Sequence, residues 1–261
     1  MEEQPLEQVE QLALKKQKIF RNSKMRFVLR SMLASMFIGF GVIVAFKTGN
    51  YFYLVHSPAA YPMAAITFSA AIILIAYGGG DLFTGNTFYF TFAALRKKIT
   101  WPEVIKIWCF SYLGNILGAT VFAFLILGTG LYKESTVNSF LLNVVSHKMQ
   151  IPTLELFFRG MLCNWIICMA FFIPMVLKDE GSKLFTMVLF VFCFFISGYE
   201  HSIANMCTFA IALVLDHPGT ISFDGVIHNL VPVTIGNITG GSIMMGMLYF
   251  YLNNISYHEN G

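Results

Sequence analysis

The sequence has too little charge for a protein surrounded by water. Only 12% of its 261 residues are Asp, Glu, Lys or Arg, and 56% are hydrophobic. A soluble domain usually spends about 25% of its residues on these four charged types. The composition therefore excludes a soluble enzyme and favours one bundle of membrane-spanning helices.

The sequence also lacks the patterns of a metal site, a disulfide framework and a hydrolase. Its five cysteines lie in apolar stretches, form no CxxC pair and have no His at ligand spacing. We interpret them as buried small residues and expect no metal or cofactor. No HExxH or GxSxG motif is present, and the Ser nearest to His201 is the adjacent Ser202, so we do not expect an enzyme.

Basic residues are few and concentrated at the start of the chain. The net charge is +3, and seven of the 17 Lys and Arg lie within the first 30 residues. No basic face recurs later, so the sequence does not predict nucleic-acid binding.

Six apolar stretches are each long enough to cross the ~30 Å hydrocarbon core of a bilayer as a helix. They lie at about 27–46, 59–95, 105–132, 154–177, 184–215 and 231–252. We expect an all-α membrane protein with a channel domain over 27–252, whose halves are 27–132 and 154–252.

A charged arm over residues 1–26 precedes the channel domain, and a tail over 253–261 follows it. Acidic residues come first in the arm and basic ones later, with apolar residues at helical spacing. We expect an amphipathic helix at the membrane surface rather than a cleaved signal peptide. The cationic arm and the basic loops at 96–98 and 178–183 place both termini in the cytoplasm.

The second and fifth apolar stretches are interrupted by polar and small residues, at 78–86 and 197–205. Asp81 and Asn86 in one interruption align with Glu200 and Asn205 in the other, five residues apart in both. Downstream, the segment 114–119 (GNILGA) matches 236–241 (GNITGG). We read the glycines of these two segments as close-packing positions between helices.

Three spans in each half require the halves to cross the membrane in opposite directions. This pattern predicts an inverted repeat of three plus three spans, with broken helices at equivalent places. A broken helix frees backbone groups that lipid cannot satisfy, so the breaks are expected to line a cavity. Helix N-termini at such a cavity favour an anion.

One histidine lies inside an apolar stretch. An ionisable side chain at that depth is costly and points to function, so His201 is a candidate to attract an anion or give it a proton. Thr84 at the other interruption offers a hydroxyl donor. Asn86 and Asn205 are expected to hold the broken backbone, and Asp81 and Glu200 to be paired away from the anion.

The segment 79–86 (GGDLFTGN), the segment 200–205 (EHSIAN) and Cys163-Asn164-Trp165 resemble signatures of the formate/nitrite transporter family. The resemblance covers about 5–255 and is most like the hydrosulfide-channel branch. It implies an aquaporin-like homopentamer in which each protomer has its own pore.

The resemblance also implies roles for individual residues. His201 and Thr84 would form a central polar pair. Leu82 and Ile72 would form a cytoplasmic constriction, and Phe68, Ile167 and Phe194 a periplasmic one. Lys148 would stand with Glu200 and Asn164 by the periplasmic vestibule, and the arm would cover the cytoplasmic mouth. Asn205 would also lie along the substrate pathway.

The resemblance implies a channel in the bacterial inner membrane for small monovalent anions, with hydrosulfide preferred and formate and nitrite as further permeants. A formate or nitrite transporter that also moves protons is the first alternative. A pore for water or neutral solutes is the second.

Overall fold

The computed structural model describes residues 3–253, and this part of the chain contains helices but no strands. The expected tail lies almost wholly outside it. The helices are α1 (Glu3–Asn22), α2 (Lys24–Tyr53), α3 (Ala60–Thr67), α4 (Ala70–Gly78), α5 (Phe83–Leu95), α6 (Trp101–Thr129), α7 (Ser135–Lys148), α8 (Thr153–Phe172), α9 (Glu180–Ile196), α10 (Ser202–Val214), α11 (Phe223–Thr239) and α12 (Leu248–Asn253). A 3₁₀ turn at Ile173–Met175 extends α8, and π-helical turns at Gly240–Met247 join α11 to α12.

Several helices begin at side chains that cap their first turn. Ser23, Asp179 and Ser222 precede α2, α9 and α11, and each accepts a hydrogen bond from the backbone N–H three residues later. Such caps satisfy donors that the helix itself leaves free. They explain why the first span starts at Lys24 rather than 27, and why the sixth starts at Phe223 rather than 231.

Five helical stretches in the described residues are long and apolar enough to cross a membrane. They are Lys24–Tyr53, Ala60–Gly78, Trp101–Thr129, Thr153–Met175 and Phe223–Asn253. The expected stretch at 184–215 is divided into α9 and α10, which have 17 and 13 residues.

Two non-helical segments lie between short apolar helices. The first linker, residues 79–82, joins α4 to α5, and the second linker, residues 197–201, joins α9 to α10. Gly79 and Gly198 have φ angles of 75° and 72°. Glycine adopts this left-handed conformation without the steric cost that a Cβ would bring.

Helix α7 lies where the sequence predicted only a connection. Its apolar stretch is too short to indicate a span, yet Phe140, Leu141 and Val145 are buried in the central core. The helix packs against α2 and α10 and carries Lys148 at its last position.

The long helices pack in corresponding pairs around the short ones. Helix α2 packs on α6 in the first half, and α8 packs on α11 in the second. Helix α1 packs on α5 and α2, with Leu6, Val9 and Phe20 buried in a cluster shared with α5 and α6. Protein side chains thus cover the apolar face of this arm, and its place at the membrane surface stays a prediction.

Candidate functional site

Thr84 and His201 meet in the interior, one from each half of the chain. The Thr84 Oγ1 and His201 Nε2 atoms are 3.0 Å apart. Thr84 lies in the first turn of α5, immediately after the first linker, and His201 is the residue before α10. Thr84 is 0% exposed and His201 4% exposed.

The hydrogen bonds around the imidazole define its tautomer. His201 caps α10, with its Nδ1 accepting the backbone N–H of Ala204 at 3.1 Å. A ring nitrogen that accepts carries no proton, so in the neutral ring the proton lies on Nε2. Nε2–H then donates to Thr84 Oγ1, and the Thr84 hydroxyl proton remains free to donate to another acceptor.

A lysine, an acid and an asparagine form a network beside the first linker. Lys16 Nζ donates to Asn86 Oδ1 at 2.7 Å and lies 3.5 Å from Asp81 Oδ1. Asn86 Nδ2 donates to Asp81 Oδ1 and to Ser111 Oγ. Burial lowers the pKa of the Lys16 ammonium, and the neighbouring Asp81 carboxylate acts in the opposite direction.

A matching network lies beside the second linker. Lys148 Nζ donates to both carboxylate oxygens of Glu200 at 2.8 Å and to Asn205 Oδ1 at 3.2 Å. Asn205 Nδ2 donates to Glu200 Oε2 and to Asn229 Oδ1. Asp81 and Glu200 are thus paired with cations, so neither carboxylate stands as an uncompensated negative charge.

Asn115 and Asn237 hold the backbone of the two linkers. Asn115 Oδ1 accepts the N–H of Phe83, and its amide donates to the carbonyls of Ser31 and Asp81. Asn237 makes the same set of bonds with the N–H of Ser202 and the carbonyls of Gly160 and Glu200.

The prediction that Asn86 and Asn205 hold the broken backbone together is therefore wrong. Their amides bond to the side chains of the acids, and the freed backbone groups are satisfied by the asparagines of the 114–119 and 236–241 segments.

Asn164 does not stand with Lys148. Its amide donates to the carbonyls of Thr84 and Asn237 and to Thr87 Oγ1. Because these bonds join α8 to α5 and α11, Asn164 braces the central pair instead of lining a vestibule.

The apolar residues expected to form constrictions surround one small central cavity next to His201. Among the described residues that line it, His201 alone has a polar side chain. A narrow apolar cavity of this kind excludes hydrated ions. The apolar lining includes Phe68, Ile72, Leu82, Ile167 and Phe194.

More polar spaces lie on both sides of the central cavity. An outer cavity shares His201, Phe68 and Phe194 with it and is lined by Lys148 and Asn205. On the other side, the inner vestibule of about 600 Å³ shares Leu82 and Ile75 with it. Four basic residues line that vestibule: Lys15, Lys16, Arg30 and Lys183.

Sequence reasoning missed Lys16, Arg30, Asn115 and Asn237 as site residues. Lys16 and Arg30 belonged to a general excess of basic residues near the start of the chain. Asn115 and Asn237 were visible in the internal repeat, where each stands at the same place between two glycines. An asparagine inside an apolar span, at the same place in both segments, was the signal that could have identified them.

The geometry defines a membrane-spanning protein with an internal polar site between apolar walls. Residues 3–251 match the family model described as "Formate/nitrite transporter". The chain therefore belongs to the formate/nitrite transporter family, which consists of transporters and channels and not of enzymes.

Similar sequences and structures agree with this assignment. "Uncharacterized transporter YwcJ" of Bacillus subtilis (strain 168) is 64% identical over 97% of this chain and 99% of its own length. "Nitrite transporter NirC" of Escherichia coli (strain K12) is 35% identical over 88% of this chain and 84% of its own length.

Two solved structures share the fold. An "FNT family ion channel" has a TM-score of 0.88 at 28% identity and covers 95% of this chain and 98% of its own. A "Pentameric formate channel with formate bound" has a TM-score of 0.68 at 26% identity and covers 87% of this chain and 98% of its own.

Proposed function

We propose that the protein is a channel for small monovalent anions. The observation that carries the proposal is the Thr84–His201 pair beside an apolar cavity, with a lysine network on either side. The path runs from the inner vestibule past Leu82 and the central cavity to the outer cavity at Lys148.

The proposed mechanism follows from the cost of desolvation. Cations in the inner vestibule and at Lys148 raise the local concentration of anions. A bare anion in the apolar central cavity is costly, whereas its neutral acid or a hydrogen-bonded anion costs much less. His201 is the polar group on the cavity wall, and its Nε2–H or the Thr84 hydroxyl donates a hydrogen bond that stabilises the anion. A proton that neutralises the anion comes from water in the vestibules, because a neutral imidazole that gave up its proton would be left as an imidazolate.

The proposed anions are nitrite, formate and hydrosulfide, each the conjugate base of a small neutral acid. The similarity to a nitrite transporter and to a formate channel favours the first two. The hydrosulfide preference stays a prediction of the sequence resemblance. Co-transport of protons follows if the ion crosses as its neutral acid.

We further propose that five copies assemble, that the halves are inverted repeats, and that α1 faces the cytoplasm of a bacterial inner membrane. The matched networks of Lys16 and Lys148 support the repeat. The basic residues Lys15, Arg96 and Lys183 near that face support the orientation. The pentameric neighbour supports the assembly.

The test is flux into liposomes that contain the purified protein. Nitrite, formate, hydrosulfide and chloride are compared at equal ionic strength, with empty liposomes as the control for leak of the neutral acids. We expect saturable flux of weak-acid anions well above chloride. Flux of water alone, with no anion flux above the control, would contradict the proposal and favour a neutral-solute pore.

A His201→Ala variant tests the site itself. We expect a changed pH dependence or selectivity with an intact fold. Identical flux for the variant and the wild type between pH 5 and pH 8 would exclude the proposed role of His201.

A further inference from the structure

Arg30 presents to the inner vestibule a guanidinium that has no hydrogen-bond acceptor in the part of the chain that the structure describes. The residue lies in α2 and lines the vestibule together with Gly79, Gly80 and Leu82. Its Nε is shielded from solvent and has no hydrogen-bond acceptor among the residues the structure describes. The guanidinium lies over Gly79, where an added Cβ would be 3.4 Å from Arg30 Nη2.

The other half of the chain contains an arginine at the equivalent place. The backbone N–H of Asp81 donates to the carbonyl of Arg30, and that of Glu200 donates to the carbonyl of Arg159. The residues that follow, Ser31 and Gly160, each accept a bond from the matching Asn115 or Asn237 side chain. Arg30 and Arg159 therefore occupy corresponding positions.

The two arginines differ in their partners. Arg159 donates from Nη2 to Glu155 Oε2 at 2.7 Å, one helical turn earlier. The residue one turn before Arg30 is Arg26, which cannot accept. One half thus supplies a carboxylate to the guanidinium, and the other half leaves the same group open to the vestibule.

The remaining cations of the vestibule are less able to bind an anion in a fixed geometry. Lys16 is bonded to Asn86, and Lys183 donates to Glu180 at 2.6 Å. Lys15 is exposed on α1, where water screens its charge. Arg30 is the partly buried cation of this set whose side chain has no partner in the described residues.

We propose that Arg30 is a binding subsite for bent monoanions that carry two oxygen atoms, such as nitrite and formate. The planar guanidinium donates two parallel N–H bonds to such an anion, in the way it pairs with a carboxylate. Hydrosulfide and chloride offer one acceptor atom and gain only from the charge. The inference rests on the proposed anion channel, and it assigns selectivity to the vestibule in addition to the central pair.

The first test replaces Arg30 with Lys, which keeps the positive charge and removes the two parallel N–H donors of the guanidinium. Flux is measured in proteoliposomes sorted by orientation, with each anion added on the α1 side or on the opposite side. We expect the half-saturating concentration of nitrite and formate on the α1 side to rise about tenfold, which is the loss of one charge-assisted hydrogen bond. Values for hydrosulfide and chloride, and all values on the opposite side, stay unchanged.

Arg26→Lys is the matched control, because Arg26 is an exposed arginine on the same helix. It should leave all four anions unaffected. If Arg30→Lys leaves nitrite and formate unchanged, or weakens all four anions equally, the proposed subsite is wrong. If the wild-type protein carries no anion, the channel proposal itself has failed.

A second variant imitates the other half of the molecule. Arg26→Glu places a carboxylate one turn before Arg30, as Glu155 stands before Arg159. We expect it to raise the half-saturating concentration of nitrite, and Arg26→Gln to have a much smaller effect. In a protein that already carries Arg30→Lys, Arg26→Glu should raise the half-saturating concentration of nitrite little further, because the paired N–H donors are already absent. Full additivity of the two changes would contradict the pairing.

Discussion

At the scale of single residues, Thr84 fixes the ring that faces the central cavity. The resemblance implied a central polar pair of Thr84 and His201, and the structure brings the two side chains to 3.0 Å with Thr84 at 0% exposure. His201 alone supplies a polar side chain to the cavity wall among the residues described there. Thr84 accepts from Nε2 and so orients the ring.

Removal of the Thr84 hydroxyl should reduce flux with little change in shape. Thr84→Val leaves the Nε2–H of His201 without its acceptor, a cost of about 1–3 kcal/mol for a buried donor. We expect anion flux to fall about fivefold at the lower end of that range and further at its upper end. Thr84→Ser keeps the hydroxyl and should retain most of the flux in the same liposome assay. Equal flux for Val and Ser would show that the hydroxyl has no part in permeation.

At the scale of helices, close approach explains why α6 carries glycine on one face. A Cβ at Gly118 would overlap the carbonyl oxygen of Met32 on α2, whereas a Cβ at Gly128 would meet nothing within 4 Å. Both residues belong to α6, so they form a matched pair.

Gly118→Ala should destabilise the α2–α6 packing, and Gly128→Ala should not. Overpacking of this kind costs about 1–3 kcal/mol. The measurement is the thermal unfolding midpoint in detergent, where only the first variant should show a clear decrease. Similar midpoints for both variants would mean that α2 shifts without cost.

The start of α9 provides a pH-dependent test outside the membrane-spanning segments. Asp179 accepts hydrogen bonds from the backbone N–H and the hydroxyl of Ser182, and the backbone bond lowers the pKa of its carboxyl below the ordinary 3.8. A lowered acid pKa contributes stability above the unfolded-state value, and this contribution is lost as the pH falls through the folded-state value.

Asp179→Ala should therefore lower the unfolding midpoint at pH 7, and the difference from the wild type should shrink as the pH falls below 3.8. Asp179→Asn keeps a capping oxygen, so its unfolding midpoint at pH 7 should lie between those of the wild type and Asp179→Ala. A difference that stays constant from pH 7 to pH 3 would exclude the charge as its cause.

At the scale of the whole molecule, α1 is joined to the other helices by polar bonds as well as by its apolar face. Arg21 donates to both carboxylate oxygens of Glu103, at 2.6 and 2.7 Å, and Gln17 donates to one of them. The bond to Glu103 raises the pKa of Arg21 further, so this guanidinium keeps its charge at any working pH.

Glu103→Gln should loosen α1. Trypsin cleavage within the first 22 residues is expected to become about twofold faster at low salt, the modest effect of an exposed ion pair, and the difference should fade at high salt. Glu155→Gln is the control, since Glu155 also lies in the first turn of a long helix but bonds only within it. Equal cleavage of the Glu103 variant and the wild type would mean that the apolar face alone holds α1.

The sequence predicted most of the apolar spans, their two interruptions and the position of His201 at one of them, because these depend on local composition. It did not predict which asparagine holds which backbone, because Asn86 and Asn115 differ only in the neighbours that folding brings to them. It also missed α7, whose apolar face is shorter than a membrane span. Arg30 lacks a carboxylate partner one helical turn away because Arg26 occupies that position. The sequence does not show this relation until both residues are known to lie on the same helix.

The two lysine networks also bear on the net charge of the proposed path. Lys16 with Asp81 and Lys148 with Glu200 each put one cation beside one anion, so neither network adds a net charge. The guanidinium of Arg30 has no such partner among the described residues, so the end of the path at the inner vestibule is the more positive one. An anion current through the proposed channel should therefore differ in size between the two directions of an equal gradient, and added salt should reduce the difference.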